Sequence, residues 1–294
     1  MNNSKKTLRF LTVSLIAVSL LCVCIFFFLA FYMSLQSGNT IGNVGKIYMS
    51  GMSQQISLHF ETTMDLRLSQ VEALVETNAP GSKAQSALIE DLVYSAKARG
   101  FEHLAFYSTD GTFEPLYGSD LTVTDPQPFL TSLNDGRKKI AVGADVRGNK
   151  LVLMGVSSSY AMSGGKTCTA LVAAIPVDYI RDTLSLDDES GMMYSHIIRR
   201  DGTFVIRSGD AYRDNYFDRI YAIFDNLGGK NPEQHIQELQ AAMDAEEDYS
   251  TVLVIGNERR HLLCTKLPYS EWYLVVVMPY GSLNEEISHL SHQW

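Results

Sequence analysis

A short glycine-rich segment in the middle of the chain carries the residue types of a phosphate-binding loop. Ser163-Gly-Gly-Lys-Thr167 ends like such a loop, in which backbone N–H groups and the lysine ammonium hold phosphate oxygens. The full motif needs a glycine at position 160, where this chain has Tyr160, and a helix that begins at the lysine. Strand-like runs flank the segment on both sides. The pattern therefore predicts a hairpin turn and not a nucleotide site.

Histidine, acidic and serine residues also occur in patterns that could bind a metal or attack a substrate. His289 and His292 are close enough on a predicted helix to supply two ligands at most, with no carboxylate or thiolate cluster beside them. The acidic run Asp187–Gly191 lacks the alternating spacing of a calcium loop, and Ser157–Ser159 lack the Gly-x-Ser-x-Gly turn of a hydrolase. We therefore expect no catalytic residue, no metal and no cofactor, and no enzyme in this chain.

The composition is that of a folded, acidic protein. The chain has 294 residues, of which 46% are hydrophobic, and a formal net charge of -9. Binding to phosphate backbones needs clustered Lys and Arg, so nucleic acid is not an expected partner. Cys22 and Cys24 lie in an apolar N-terminal run, while Cys168 and Cys264 lie in separate strand-like runs. Buried free thiols are favoured over a disulfide between the last two.

The N-terminal part is typical of a membrane anchor. No charged residue occurs from Phe10 to Met33, and about 20 helical residues suffice to cross a bilayer. A removed signal peptide is the alternative, but its apolar region is only about 7 to 15 residues long and ends in small residues. Lys5, Lys6 and Arg9 precede the run, which predicts a cytoplasmic N-terminus at 1–9, a transmembrane helix at 10–33 and the bulk of the chain outside the plasma membrane.

Two helices are predicted after the anchor. Apolar residues at spacings of mostly three and four form one stripe: Ile56, Phe60, Met64, Leu68, Val71, Leu74 and Val75. This periodicity predicts a long helix that ends at Thr77, before Asn78-Ala-Pro-Gly81. A shorter helix should follow, with Ser82 and Gln85 as its capping box and Gly100 at its end.

The period then changes to that of strands, and two landmarks occur twice. Asp110-Gly-Thr-Phe113 recurs as Asp201-Gly-Thr-Phe204, each time between two apolar runs, where Asp-Gly favours a tight hairpin turn. Each half also ends in a buried strand that runs into a proline, Pro176 and Pro279, which should open a helix. Two matched landmarks in the same order indicate a duplicated antiparallel sheet module.

These patterns divide the rest of the chain into three segments. We predict a stalk helix with a membrane-distal module at 34–186 and a membrane-proximal module at 187–280, each with five strands. The second module should carry two inserted helices, with stripes from Phe217 to Leu227 and from Ile236 to Met243. A last helix at 281–294 would lead toward a second membrane span, because its apolar stripe continues to Trp294.

The sequence resembles the double Cache extracytoplasmic sensor domains of bacterial signal-transduction receptors. The resemblance rests on the anchor, the long helix, the repeated Asp-Gly hairpin, and the ending Leu263-Cys-Thr-Lys-Leu-Pro-Tyr-Ser-Glu-Trp-Tyr-Leu-Val-Val-Val-Met-Pro279, which is similar to sensor regions of hybrid histidine kinases and diguanylate cyclases. It implies an α+β fold, in which an N-terminal transmembrane helix and a long stalk helix precede two PAS-like antiparallel five-stranded sheets in tandem. It also implies an unknown small-molecule ligand in the distal module, contact with the lipid bilayer and a homodimer through the stalk helix.

The chain departs from the family pattern at its end and at one ligand-binding element. No second membrane span and no kinase or cyclase motif follows the last helix, so the chain is expected to be a truncated receptor. Members that bind amino acids use an Arg-x-Trp-Tyr element after the first hairpin. The comparable region here is Asp125-Pro-Gln-Pro-Phe129, so a cation for the carboxylate and aromatic rings for the ammonium are missing.

By analogy with the family, five residues around the distal sheet are the candidate ligand contacts: Tyr107, Tyr117, Asp145, Arg147 and Tyr160. The sequence thus predicts the input domain of a receptor, in which ligand binding outside shifts helix packing and the signal passes to a cytoplasmic histidine kinase or diguanylate cyclase. The alternative is an envelope or adhesion protein with a single anchor and no signalling output.

Overall fold

A computed structural model describes residues 2–184, 193–207, 215–223, 231–255 and 258–279. The chain divides into two compact units, and the second, Met49–Gly281, contains both sheets described below. The predicted acidic run 187–191, the end of the stripe at Leu227 and the last helix at 281–294 lie outside the described residues.

Helix α1 spans Asn2–Thr77 and contains the predicted anchor. Its segment Val13–Met33 is the one helical stretch in the described residues that is long and apolar enough to cross a membrane. Farther along, the predicted stripe is buried, with Phe60, Met64 and Leu68 fully enclosed. After α1 ends, the Asn78 side chain donates to the Leu74 carbonyl at 3.2 Å. The end of the helix is therefore where the stripe and the following Asn-Ala-Pro-Gly predicted it.

Helix α2 spans Gln85–Ala98. The predicted capping box is wrong, because the N-cap residue is Ala84 and no side chain caps the helix. Gln85 instead reaches out of the helix and donates to the Ala161 carbonyl at 2.8 Å. The end of α2 is as predicted, since Gly100 follows it with a φ of +75, a conformation that glycine adopts without steric cost.

The first sheet has six strands in the order β2-β1-β6-β5-β4-β3, all antiparallel to their neighbours. The strands are β1 His103–Ser108, β2 Phe113–Tyr117, β3 Leu121–Val123, β4 Lys139–Asp145, β5 Lys150–Ser157 and β6 Cys168–Pro176. Five strands were expected here. The additional strand, β3, has three residues and is too short to show an alternating pattern in the sequence.

Helix α3, Pro126–Asn134, lies between β3 and β4 and was not predicted. Its proline-rich start resembles a loop, although proline is favoured in the first turn of a helix, where its missing N–H needs no partner. Phe129 and Leu133 of this helix are buried against the sheet. The helix therefore covers one face of the first sheet.

Helix α4, Val177–Leu184, directly follows Pro176, the last residue of β6.

The second sheet has the five predicted strands in the order β8-β7-β11-β10-β9. Its elements are β7 Tyr194–Arg199, β8 Phe204–Ile206, α5 Tyr216–Ile223, α6 Pro232–Ala245, β9 Tyr249–Ile255, β10 Glu258–Lys266 and β11 Trp272–Pro279. Helices α5 and α6 pack their buried residues against one face of this sheet.

The repeated Asp-Gly-Thr-Phe sequence makes the same turn in both sheets. Gly111 and Gly202 have φ angles of +84 and +83. In each copy the aspartate accepts hydrogen bonds from the backbone N–H and the hydroxyl of the threonine two residues later. The duplication predicted from the sequence is therefore present in the local geometry, because the same residues close both hairpins.

Candidate functional site

Tyr107, near the end of β1, lies on the face of the first sheet that α3 covers. Its ring is 4.5 Å from that of Phe113 and 5.4 Å from that of Phe129, measured between centroids. Its hydroxyl is buried and has no hydrogen-bond partner among the described residues. Burial, followed by the nearby Asp110 carboxylate, raises the pKa of Tyr107, so the group stays protonated and able to donate.

The apolar space around Tyr107 is closely filled by the chain itself. A Cβ atom added at Gly155 would lie 2.8 Å from the Leu133 side chain, and one added at Gly143 would lie 2.6 Å from Leu153. A Cβ atom at Gly111 would lie 3.5 Å from the Tyr107 hydroxyl, which therefore points toward the first Asp-Gly turn. A ligand on this face would meet the hydroxyl beside that turn.

The turn next to Tyr107 carries a fixed carboxylate. Lys166 donates to Asp110 at 2.8 Å, and Thr112 donates to it through its hydroxyl at 2.7 Å. The Lys166 ammonium, together with the hydroxyls of Ser108 and Thr112, holds the pKa of Asp110 well below its usual range. The lysine of the glycine-rich segment is thus paired with an acidic side chain, and Gly164 beside it has the positive φ of a turn, as the hairpin prediction requires.

Tyr160 does not lie beside Tyr107 but packs against Phe106, the residue before Tyr107 on β1. Its ring stacks on Phe106 at 5.1 Å, and its hydroxyl donates to the Asn78 carbonyl at 2.8 Å. Successive side chains of a strand point to opposite faces, so Phe106 and Tyr107 belong to different faces of the first sheet. Burial raises the pKa of Tyr160 to about 12. Through its hydrogen bond to Asn78, Tyr160 connects the loop before β6 to the residue that follows α1.

Tyr117 also makes contacts within the fold. Its hydroxyl donates to the Phe101 carbonyl, and the Lys97 ammonium lies 5.1 Å from its ring centroid. Burial raises the pKa of Tyr117 to about 12. These contacts connect β2 to the end of α2 and to the segment that leads into β1.

Asp145 and Arg147 lie at the turn between β4 and β5. The Asp145 carboxylate accepts from the Arg147 N–H at 2.8 Å and from the Asn149 N–H at 2.9 Å. Burial by itself would raise the pKa of Asp145, but the hydrogen bonds from Asn149 and from the backbone lower it. Arg147 is exposed. The five predicted residues therefore occupy four places, and the structure does not bring them together in one pocket.

Sequence patterns gave no indication of a polar junction between α1 and the two sheets. Tyr269, in the turn between β10 and β11, donates its hydroxyl to Asp65 of α1 at 3.0 Å. Lys138, just before β4, lies 3.3 Å from Asp65 and 3.5 Å from Glu72. The Ile140 N–H donates to the Tyr269 carbonyl at 2.9 Å. We call Asp65, Lys138 and Tyr269 the α1 junction.

An apolar contact and a second ion pair lie beside the α1 junction. The Phe60 ring of α1 meets Trp272 edge-on at 6.0 Å, and Lys139 pairs with Glu271 at 2.6 Å. Tyr269 itself has a φ of +62, which is uncommon for a residue with a side chain. No local signal predicts these contacts, because Asp65 and Tyr269 are brought together only by the tertiary fold.

The described residues contain no group of three or more His, Cys, Asp or Glu side chains that could hold a metal ion. The thiols of Cys168 and Cys264 are buried and free, in agreement with the sequence-based preference. Burial raises the pKa of Cys264 to about 12. Both thiols belong to the packing of the sheets.

Solved structures with a similar fold include ligand-binding domains of chemoreceptors and the extracellular domain of a histidine kinase. The ligand-binding domain of the Pseudomonas aeruginosa PAO1 amino acid chemoreceptor PctB, in complex with L-Gln, has a TM-score of 0.53 at 14% identity, over 84% of this chain and 98% of that chain. The ligand-binding domain of the Pseudomonas fluorescens chemoreceptor CtaA, in complex with L-alanine, has a TM-score of 0.51 at 14% identity, over 79% and 96%.

A third similar structure is the extracellular domain of mmHK1S-Z2, a protein assigned as a histidine kinase. Its TM-score is 0.54 at 11% identity, over 79% of this chain and 97% of that chain. No family model and no curated protein matches the sequence. The chain has the α+β fold of these ligand-binding domains, with two antiparallel sheets after a long helix, as expected for a Cache sensor domain.

Proposed function

We propose that this chain is the membrane-anchored, extracytoplasmic input domain of a bacterial signal-transduction receptor. One observation carries the proposal: helix α1 contains the apolar segment Val13–Met33 and continues to Thr77, where its later turns pack on sheets with a sensor-domain fold. A change in how the sheets hold α1 would then act on the same helix that enters the bilayer. The basic residues before the apolar segment support a cytoplasmic N-terminus and an outer location for residues 34–280.

The membrane-distal module, residues 34–186, is the proposed site of ligand binding. Tyr107 supports this assignment, because a buried hydroxyl without a protein partner is costly unless a ligand or water satisfies it. The similar chemoreceptor domains are in complex with L-Gln and L-alanine. In this chain Asp125-Pro-Gln-Pro-Phe129 forms the start of α3, so recognition would differ from the Arg-x-Trp-Tyr mode. The ligand is proposed to be a small molecule.

A homodimer through the stalk part of α1 is part of the proposal. Leu58 and Leu66 lie on the helix away from its buried stripe and are 61% and 60% exposed. Two large exposed apolar side chains about two turns apart form a surface that a second copy of the helix could cover. The output is proposed to be a cytoplasmic histidine kinase or diguanylate cyclase, with no catalysis by the sensor domain.

The test is a thermal-unfolding screen of the full chain in lipid nanodiscs against a metabolite library. A ligand that binds only the native state raises the midpoint by mass action. We expect at least one compound to raise it by several degrees, and we expect Tyr107→Phe to remove the effect while Tyr221→Phe, at an exposed helix position, retains it. A broad library without a hit, or a hit that Tyr107→Phe leaves unchanged, would argue against ligand binding at this face.

A further inference from the structure

A cleft of about 490 Å³ lies between the first and second sheets. Its apolar floor comes from both modules: Leu151 at the start of β5, Val177 at the start of α4, and Phe204 and Ile206 of β8. All four are buried residues. The cleft could accommodate a small organic molecule, because small-ligand sites begin at roughly 300 Å³.

The charged residues around this floor balance one another. The acidic residues that line the cleft are Glu102, Asp145 and Asp178, and the basic residues are Lys150, Arg181 and Arg207. A lining with equal numbers of both charges favours a ligand that carries both charges over a net anion or a net cation.

Most of these charges are already used within the fold. Asp145 accepts the hydrogen bonds of the β4–β5 turn, and Arg181 pairs with Asp178 at 3.1 Å. Lys150 donates to the Phe204 carbonyl at 3.3 Å, which leaves donor capacity on its ammonium. The Glu102 carboxylate has no ion pair or hydrogen bond among the described residues. Glu102 and Lys150 are therefore the groups best placed to receive a ligand.

The sheet topology fixes the spacing of these two groups. Strand β6 separates β1 from β5, and Glu102 and Lys150 stand at the same end of the sheet, on either side of Pro176. Two strand spacings put their backbones about 10 Å apart. Both side chains are long enough to lean over the floor between them. A ligand in the cleft would have an anionic group at one wall and a cationic group at the other.

We infer that the cleft between the two sheets is a binding site for a small zwitterion, an amino acid or a dipeptide, whose ammonium group meets Glu102 and whose carboxylate meets Lys150. This inference rests on the proposed sensor function, but it assigns a second site, away from Tyr107. Since Lys150 also holds the Phe204 carbonyl of the second sheet, a ligand here touches both modules and stabilises one arrangement of them.

The experiment uses the full chain in nanodiscs, with L-leucine and the dipeptide Gly-Leu as zwitterionic probes. N-acetyl-L-leucine keeps only the carboxylate, and L-leucinamide keeps only the cationic amine. Affinity is measured by calorimetry for the wild type, Lys150→Met and Glu102→Gln, with Lys83→Met as a control at an exposed lysine on another part of the module. We expect at least one zwitterion to bind, and both single-charge derivatives to bind about 10- to 100-fold more weakly, as loss of one charge-assisted hydrogen bond implies.

The variants assign each charge to its wall. Lys150→Met should lower the affinity for the zwitterion by about the same 10- to 100-fold as removal of the ligand carboxylate. The variant should bind L-leucinamide as tightly as the wild type does. Glu102→Gln should also lower the affinity for the zwitterion, but it should not weaken the binding of N-acetyl-L-leucine relative to the wild type. Lys83→Met should leave all of these affinities unchanged. The inference is overturned if neither zwitterion binds, or if binding persists in both cleft variants. A library hit that depends on Tyr107 would in that case leave the proposed sensor function standing.

Discussion

Tyr107 of β1 and Tyr160 of the loop before β6 are both fully buried, yet their hydroxyls have different environments. The Tyr160 hydroxyl donates to the Asn78 carbonyl, whereas the Tyr107 hydroxyl has no protein partner among the described residues. A buried polar group without a partner loses its hydration and gains nothing in exchange. The two residues therefore form a natural comparison in which the same chemical change should have opposite effects.

Replacing each of these tyrosines with phenylalanine tests that difference. Tyr160→Phe should lower the free energy of unfolding by about 1 kcal/mol, because it leaves the Asn78 carbonyl without its donor. Tyr107→Phe should leave the free energy of unfolding unchanged or raise it by about 1 kcal/mol. Urea unfolding of both variants measures the difference. Equal destabilisation would mean that the Tyr107 hydroxyl has a partner in solution.

Two glycines allow a second comparison at the residue scale. Gly155→Ala places a Cβ atom 2.8 Å from Leu133, so the variant should lose about 1 to 3 kcal/mol of stability. Gly51→Ala, on α1 with nothing within 4 Å, should gain about 0.5 to 1 kcal/mol from helix propensity. Thermal unfolding gives both values. A stable Gly155→Ala protein would show that the space under α3 can open, and that a ligand could enter it.

At the scale of elements, α1 is the part that both sheets share. Its buried stripe supplies the Phe60 contact with Trp272 of the second sheet, and Arg67 donates to the Arg99 carbonyl beside the first sheet at 2.9 Å. The Arg67 guanidinium also lies 4.6 Å from the Tyr179 ring centroid of α4. A helix held by both sheets can respond to a change in either of them.

The Phe60 contact has a direct test. Phe60 is fully buried, so Phe60→Ala should cost about 3 to 5 kcal/mol through lost burial and the cavity that remains. Leu58 lies two residues before Phe60 on α1 and is 61% exposed. Leu58→Ala should therefore change the unfolding free energy by less than about 0.5 kcal/mol. Analytical ultracentrifugation of Leu58→Ala adds a second readout, since the proposed dimer should weaken. An unchanged dimer would remove Leu58 from the proposed surface.

The α1 junction should make stability depend on pH. The hydrogen bond from Tyr269, and then the one from Lys138, lower the pKa of Asp65. A carboxyl with a lowered folded-state pKa contributes stability above its ordinary value of about 3.9, and that contribution is lost as the pH falls through the folded-state pKa.

The pH effect can be isolated by substitution. Asp65→Asn should be less stable than the wild type at pH 7. The difference should shrink as the pH falls below the ordinary carboxyl pKa of about 3.9, because the carboxyl of the unfolded wild-type chain then gains a proton, and the folded one follows at lower pH. Asp120→Asn, at an exposed site outside the junction, serves as the control. Chemical denaturation at pH 7, 5 and 3 measures the trend. A constant difference across this range would show that the junction contributes no ionic stabilisation.

For the whole molecule, the contacts between sheets predict cooperative unfolding. Residues 49–281 form one compact unit that contains both sheets, and the junction and the Lys139–Glu271 pair connect them. We expect peptides of β1 and β11 to exchange their amide hydrogens with the same free energy of opening. In the double variant Lys138→Met/Tyr269→Phe the two sheets should unfold independently, so that peptides of β1 and β11 exchange with different free energies of opening. Hydrogen exchange followed by mass spectrometry measures the opening free energy of each sheet. Equal values in the double variant would mean that contacts other than the α1 junction couple the two sheets.

The sequence by itself determined the elements whose signal is local and periodic. The stripe from Ile56 to Val75 predicted α1 and its buried face, and the two Asp-Gly-Thr-Phe copies predicted matched hairpins, because turn chemistry and side-chain period depend on neighbours in the chain. The proline-rich start of α3 and the three residues of β3 escaped notice, since their local patterns resemble a loop.

Only the tertiary structure decided where the candidate site residues lie. Tyr107 and Tyr160 looked equivalent in the sequence, but the loop before β6 brings Tyr160 to the end of α1, while strand alternation turns Tyr107 toward α3. Asp65 meets Tyr269, and Glu102 faces the same cleft as Lys150, across distances in the sequence that carry no pattern. Such contacts depend on how whole sheets pack, and packing is a property of the folded chain and not of any segment of it.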